Sequence, residues 1–344
     1  MSGVQRTPPQ GSGLLISLVV PLRNEAQSLG ALVDSIRGQT RPPDEIIFVD
    51  GGSTDRTPEL ARELLANDER FRVVEAGDAT PGRGRNVGVS VARCPWIAFT
   101  DAGIRLDPQW LARLAEAVDT DPKAEVVYGN FEPLIRTFFE RCAAIAYVEP
   151  KKKTRLADAP TRGRFIASSL MRRDVWQRVG GFPDARAAED LIFMERIEAQ
   201  GIKTSWAASA NVEWQLQPNL ARTFRRFMLY SKHNVWAGRQ RFWHYGIARQ
   251  YAVALVFIVL ALVHSPWWLV APAMGLAARA SKRILSHREE RGLSWVMNPF
   301  QFFYVTVIIL AVDLATFVGW AQALMSKPHP KEDARAVVSG EIDT

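Results

Sequence analysis

Over the first two-thirds of the chain, short apolar runs alternate with amphipathic and polar stretches, whereas the last third is almost continuously apolar and aromatic. Leu14–Val20 (LLISLVV) is an unbroken apolar run ended by Pro21, the pattern of a strand buried on both faces. A helix is predicted over Glu25–Arg37, with Leu29, Leu32, Val33 and Ile36 on one face. Glu45–Asp50 (EIIFVD) reads as a second buried strand, followed by a turn at Gly51–Thr54 and a helix at Pro58–Leu65 capped by Asp55 or Thr57. Phe71–Glu75 is a third strand. A glycine-rich turn at Pro81–Gly84 leads into a helix at Arg85–Arg93, and Trp96–Asp101 (WIAFTD) is a fourth strand. Asp107-Pro108 opens a helix running through Val118, with Asp107 as its N-cap. Strand–helix alternation with short connections predicts an α/β fold with a doubly wound, mostly parallel sheet.

After Ala124 the pattern changes. Strands are expected at Glu125–Phe131 and Phe165–Arg172, with a mobile loop over Glu149–Arg164 that carries Lys151, Lys152 and Lys153. A helix at Glu189–Ala199 and a short strand at Thr204–Ala207 follow, then a basic, aromatic helical stretch over Leu220–Gln250. That stretch interleaves Arg222, Arg225, Arg226, Lys232, Arg239, Arg241 and Arg249 with Phe224, Phe227, Tyr230, Trp236, Phe242 and Trp243, which suits helices lying at a bilayer surface.

Three apolar segments remain, at about 250–263, 266–280 and 300–324. The first two are each short of the roughly 20 residues that cross a bilayer. A break at His264-Ser265-Pro266 between them predicts a hairpin, as two short spans or a re-entrant pair. The following loop, Arg279–Arg291, is rich in Arg and Lys and is therefore expected in the cytoplasm. A hairpin returns the chain to its starting side, so a multi-pass inner-membrane protein is expected, with its preceding domain cytoplasmic and its C-terminal tail outside. Lys327, Lys331 and Arg335 in that tail reduce the charge asymmetry. Asp313 lies inside the third segment, where an ionisable residue is expected to face inward and find a partner.

Composition narrows the classes. The 344 residues carry a net charge of +7, which attracts nucleic acid, anionic membranes or phosphorylated ligands. No helix-turn-helix, zinc-finger or RNA-binding aromatic pattern is present, so nucleic acid is not an expected partner. Cys94 and Cys142 make neither a CxxC pair nor a disulfide framework, and the five histidines lack metal-binding spacing. The run Leu14–Val20 has no small-residue cleavage site after it and reads as a strand, not a signal peptide. His233 and His244 have no evident partner in the sequence.

Ligands of parallel α/β sheets bind beyond the carboxyl ends of the strands. Two strands here end in aspartate, Asp50 and Asp101, and the turn Pro21-Leu22-Arg23-Asn24-Glu25 follows a third. Asp50 beside Gly51-Gly52-Ser53 suits a carboxylate holding a base or ribose. Asp101 suits a ribose hydroxyl or a metal on a diphosphate, and Arg83 and Arg85 at a helix start suit phosphate. The successive motifs VVPLRNEAQSL, IIFVDGGSTDRT, GRGRNVGVSVA, WIAFTDAG, VGGF and AAEDLIFMERI resemble those of family 2 glycosyltransferases, in order and spacing, over about residues 14–245. The resemblance implies the GT-A fold and inverting transfer of a sugar, of hexosyl type, from a nucleotide-sugar donor, with Mg²⁺ or Mn²⁺. By position it implies nucleotide-sugar contacts from Pro21, Arg23, Glu25, Asp50, Arg85 and Asp101, with Asp101 as metal ligand. It further implies that Asp190 is the general base. Apart from the resemblance, Glu189, Arg226 and Lys232 are candidates for acceptor or phosphate contacts.

Two departures qualify this. The DxD motif reads Asp101-Ala102-Gly103, without its second carboxylate, so weaker metal dependence is expected, with Arg85 and Lys232 sharing in neutralising the diphosphate. The QxxRW motif of processive synthases is absent, which argues against a polymerising enzyme. The expected organisation is a flexible N-terminus (1–13), a GT-A domain (14–220), basic aromatic interfacial helices (221–249), a membrane region (250–325) and a flexible tail (326–344). The expected acceptor is lipid-linked or membrane-proximal, in cell-surface glycan synthesis. The alternatives are a non-catalytic membrane scaffold that keeps the fold, and a nucleotidyltransferase. The glycine-rich phosphate loop that the latter needs after the first strand is absent here, as is the GxGxxG that a dinucleotide dehydrogenase needs.

Overall fold

The computed structural model describes residues 13–153, 157, 159–292 and 298–326. The expected flexible ends therefore lie outside the described residues, apart from Gly13 and Ser326, as do Lys327, Lys331, Arg335 and part of the expected 149–164 loop. The described residues divide into two units, 13–132 with 153–214, and 133–152 with 215–326.

The first unit is built on an eight-stranded sheet ordered β3-β2-β1-β4-β7-β6-β8-β5. Its strands are β1 (Ile16–Leu22), β2 (Glu45–Asp50), β3 (Phe71–Glu75), β4 (Trp96–Phe99), β5 (Ile104–Leu106), β6 (Val126–Leu134), β7 (Ser169–Arg172) and β8 (Thr204–Gln215). β3, β2, β1 and β4 are parallel, with Leu22 in register with Asp50 and Val19 with Phe99. The expected mostly parallel sheet is thus parallel over this half only. β7 is antiparallel to both β4 and β6, and β5 is antiparallel to β8, with Ile104 opposite Trp214. The sheet is mixed because β7 runs against β4 and β6 and β5 against β8, pairings between strands distant in sequence that no local pattern reveals.

Alternation along β1 and β2 builds two cores. Ile16, Leu18, Val20, Ile46 and Phe48 face one cluster, and Val19, Ile47 and Val49 the other. The first is filled by α1 (Leu29–Arg37) through Leu29, Leu32, Val33 and Ile36, by α2 (Thr57–Leu64) through Ala61, and by α4 (Trp110–Thr120) through Trp110, Leu111 and Leu114. The second is filled from α3 (Pro81–Val91), α6 (Arg173–Val179) and α7 (Glu189–Ala199). The expected 81–84 turn is in fact the first turn of α3, because the Thr80 hydroxyl caps the helix by accepting from Arg83 N at 3.2 Å.

The glycines of α3 serve packing. A Cβ on Gly88 would stand 2.4 Å from Val19 Cγ1 and 3.2 Å from Val49 Cγ2, and one on Gly82 would stand 2.1 Å from the Pro183 carbonyl oxygen. The helix backbone therefore rests directly on the sheet and on the loop before α7. Gly88→Ala is expected to destabilise by about 1–3 kcal/mol through overpacking, despite alanine's better helix propensity. Thermal denaturation checks this; an unchanged or raised Tm would show that α3 can shift off the sheet.

The second unit is helical: α5 (Phe138–Tyr147), α8 (Leu220–Trp236), α9 (His244–Val263), α10 (Val270–Ser286), the single turn α11 (Arg288–Arg291) and α12 (Pro299–Met325). The predicted 220–250 helix is broken at 237–243, after Gly238 at φ +70°. α8 packs on α12 where Gly319 leaves room; a Cβ there would stand 2.2 Å from the Met228 carbonyl oxygen. His244 does have a partner: Ser231 Oγ lies 2.8 Å from its Nε2 and donates to the Thr316 carbonyl at 2.6 Å.

Among the described residues, two helices are long and apolar enough to cross a membrane, α9 and α12. The expected second segment fails that test, because a 3₁₀ turn at Pro266–Leu269 precedes an α10 that carries Arg279, Lys282 and Arg283. Nor does a loop begin at Arg279. It sits within α10, and its guanidinium grips buried Asp313 of α12 at 2.7 and 3.0 Å, with Tyr251 OH donating to the same carboxylate at 2.9 Å. Asp313 thus has the partner expected of an ionisable group in an apolar segment, and Arg279 is not a free charge for orienting the chain.

Candidate active site

The carboxyl ends of β1, β2 and β4 share one edge of the sheet, and the loops beyond them are cross-linked. Asn24, at φ +55°, accepts from Thr54 N at 2.8 Å, and its own N–H donates to Ser53 Oγ at 2.9 Å. Glu25 N donates to Thr57 Oγ1 at 2.8 Å, while the Glu25 carboxylate accepts from Ser28 Oγ. Arg23 pairs with exposed Asp78, and Pro21 remains within β1, half-buried.

Asp50 is buried, and its carboxylate is engaged by its own turn. Oδ2 accepts from Gly52 N and Ser53 N, both at 3.1 Å, and Oδ1 from Ser53 Oγ at 2.5 Å. Asp50 therefore shapes the 50–53 turn in this state, through hydrogen bonds that any nucleotide contact would have to share.

The centre of the site is Arg85. Only 4% of its side chain is exposed, and it bridges two carboxylates: Nη1 donates to Glu189 Oε1 at 2.9 Å and Nη2 to Asp101 Oδ1 at 2.7 Å. Its guanidinium lies 5.5 Å from the centre of the Phe182 ring, and among the described residues its Nε finds no acceptor. Next to it, Asn86 pins the same phenylalanine, accepting from Phe182 N and donating to Phe182 O, each at 2.8 Å, while Trp176 Nε1 also donates to its Oδ1. Gly180 and Gly181, at φ +80° and +69°, give the chain the left-handed bend that presents Phe182. Asn86 and Phe182 were not singled out in the sequence, although both lie inside the matching motifs; the signal was the Asn directly after Arg85 and the Phe after Gly180-Gly181.

Asp190 completes the group. It opens α7 beside Glu189, and its Oδ1 accepts from Leu191 N at 2.8 Å. Ala188 before it sits at φ +69°, a strained conformation for a residue with a Cβ. Asn24 and Ala188, the two non-glycine residues with positive φ among those described, both belong to the loops around this site.

A helix N-terminus lowers a carboxyl pKa, and that effect is present at Leu191 N. Burial outweighs it. The Asp190 carboxyl is pushed above the usual aspartate range by desolvation first, with Arg85 pulling the other way and Asp101 adding repulsion. Glu189 is likewise raised by burial against the pull of Arg85. The physical cause is simple: three carboxylates share one guanidinium. Arg85 is correspondingly raised by Asp101, Glu189 and Asp190.

Of the cations expected to share in neutralising a diphosphate, Arg85 is paired with Glu189 and Asp101. Lys232 and Arg226 belong to the second unit, where Lys232 Nζ lies 4.6 Å from the centre of the Trp236 ring and Arg226 donates to Tyr230 OH at 2.7 Å. Among the described residues no three His, Cys, Asp or Glu side chains converge as a metal cage. Asp101 alone suits a Mg²⁺ or Mn²⁺ ion held chiefly by a ligand's own phosphates.

Arg162 is a further buried cation that local pattern did not reveal. Its side chain is 1% exposed, donates to Phe131 O at 3.0 Å and to Glu132 at 2.9 Å, and anchors the far end of the expected 149–164 loop.

The sequence model of Glycosyl transferase family 2 matches residues 17–180. The glycosyltransferase GlyG of Streptococcus pneumoniae is 34% identical over 118 residues, 34% of this chain and 39% of that protein. The uncharacterized glycosyltransferase EpsJ of Bacillus subtilis is 31% identical over 187 residues, 52% of this chain and 54% of that one. The chain thus spans about half the length of these curated relatives. The glycosyltransferase AglE of Haloferax volcanii is 26% identical over 265 residues, 74% of this chain and 83% of that one. Among solved structures, the mannosyltransferase PcManGT from Pyrobaculum calidifontis, in complex with GDP-Man and Mn²⁺, superposes with a TM-score of 0.54 at 19% identity, covering 90% of this chain and 88% of that one. At that identity the likeness is one of fold, and the fold is the expected GT-A type.

Proposed function

We propose that this chain, whose residues 17–180 are a family 2 glycosyltransferase domain, transfers a sugar with inversion from a nucleoside-diphosphate donor to an acceptor at a bilayer. The observation that carries the reading is the convergence of Asp101, Arg85, Glu189 and Asp190 from three separate elements, β4's end, α3 and α7. The acceptor hydroxyl oxygen attacks the anomeric carbon, the bond to the diphosphate oxygen breaks, and the hydroxyl proton passes to the Asp190 carboxylate. Arg85 holds Glu189 and Asp101 apart on its two nitrogens and so fixes the base relative to the donor. The GDP-Man and Mn²⁺ in the PcManGT structure support a nucleotide-sugar donor that arrives with a divalent ion. Such an ion would offset the negative charge of the leaving diphosphate, with Asp101 as its protein ligand. The two apolar helices support membrane association, and with it a lipid-linked or membrane-proximal acceptor.

Charge balance decides the metal question. With all three carboxylates ionised, the site carries three negative charges against one positive, and it must accept an anionic diphosphate. Chelation by EDTA is therefore expected to weaken nucleotide binding at least about tenfold, or roughly 1.4 kcal/mol. Isothermal titration with UDP, GDP and TDP, with and without Mn²⁺, tests both points. Binding that is indifferent to EDTA would remove Asp101 as a metal ligand. Failure of all three nucleotides to bind would favour the scaffold reading, for which the missing second DxD carboxylate speaks.

A further inference from the structure

We propose that residues 239–249 bind the headgroups of anionic phospholipids, an inference that rests on the membrane reading above and names the lipid class. Between Trp214 and Arg288 the sequence holds ten Lys and Arg and no Asp or Glu, so these cations have no carboxylate on their own segment. Several are instead held over aromatic rings. Arg239 and Arg241 both address Phe242, their guanidinium carbons 4.9 and 4.7 Å from its ring centre. Phe242 is itself 61% exposed. A ring that holds two guanidiniums brings two like charges together, a cost that an external anion removes. Arg241 and Arg249 are exposed and make no ion pair with any described residue.

The surroundings select the anion. Tyr245, Arg249, Val253 and Val256 follow one another at helical spacing on α9, and all four are exposed. One face of the helix thus passes from aromatic to cationic to purely apolar, and the apolar stretch has no buried share. That order matches the passage from the interface through the headgroups into the acyl chains. A phosphate in solution would not explain the apolar continuation, whereas the phosphate of a lipid does.

The test uses the full chain reconstituted in phosphatidylcholine bilayers, with tryptophan quenching by brominated phosphatidylglycerol compared with brominated phosphatidylcholine. The parent is expected to prefer phosphatidylglycerol at least about tenfold, since each of the two basic residues near an anionic surface contributes roughly fivefold. Arg241→Gln with Arg249→Gln should bring the preference close to one, as should 0.5 M salt in part. Unchanged preference in the double variant, or equal quenching by both lipids in the parent, overturns the proposal. So does tighter binding of a DNA oligonucleotide than of phosphatidylglycerol vesicles, which would assign the surface to nucleic acid. Extraction of the chain from phosphatidylcholine bilayers by alkaline washing would overturn the membrane reading instead, so the two failures are distinguishable. Nucleotide affinity in the double variant serves as the folding control.

Discussion

Asp190→Asn is expected to lower turnover by at least about a hundredfold while nucleotide affinity stays nearly unchanged, the scale of losing a general base. A sugar hydroxyl is a poor nucleophile until its proton is taken, and Asp190 is the carboxylate of the constellation that Arg85 does not directly hold. Its raised pKa makes it a better base near neutral pH than an ordinary aspartate. Turnover should therefore fall on the acid side at a pH above the ordinary 3.8 of an aspartate. Because Asp190 and Glu189 are neighbours, that limb belongs to the pair. Stability gives a second readout. A carboxyl whose folded-state pKa is raised favours folding when protonated, and that contribution is lost as pH rises through the raised value. The Asn variant should thus melt at the same temperature as the parent or higher at pH 7, the difference closing as pH falls below the usual carboxylate range. Near-normal turnover in this variant would leave Glu189 as the next candidate.

Arg85→Met is expected to cost about 3–5 kcal/mol of stability, because it strands Glu189 as a buried charge without a partner. The Glu189 side chain is 8% exposed, so water cannot replace the guanidinium. Arg85→Lys should recover only part of the loss, since an ammonium cannot span both carboxylates in the forked geometry seen here. Adding Glu189→Gln to Arg85→Met should restore much of it, and the double-mutant cycle measured by thermal melting gives the coupling. Additive losses would mean that Arg85 stabilises the fold through Phe182 and not through its ion pairs.

Several elements were legible to the residue. Glu45–Asp50, Phe71–Glu75 and Glu189–Ala199 are bounded by turn residues and carry unbroken apolar runs or helix-opening acids. Other elements depend on partners far along the chain. β8 runs on to Gln215 only because β5 and β6 flank it, and its sequence TSWAASANVEWQ lacks clean alternation. α3 begins four residues early because its glycines are read locally as a turn, whereas in the fold they are a contact surface for Val19 and Pro183. In the site, the residue types were visible but their pairing was not: Arg85 and Glu189 are 104 positions apart. The upward shift of the Asp190 carboxyl was not legible for a related reason, because a helix dipole is a local property and burial is not.

The grip of Arg279 on Asp313 has a consequence for how the chain is made. An arginine or an aspartate at the centre of a lone apolar helix opposes insertion by about 2.5–3.5 kcal/mol. α12, which is long and apolar enough to cross a membrane, carries that penalty at Asp313, and Arg279 of α10 offsets it in one bidentate contact. The partners are 34 residues apart, so at about 5–20 residues per second the arginine is made some seconds before its aspartate. A bilayer that received α12 would therefore meet an aspartate whose counter-charge had already been synthesised.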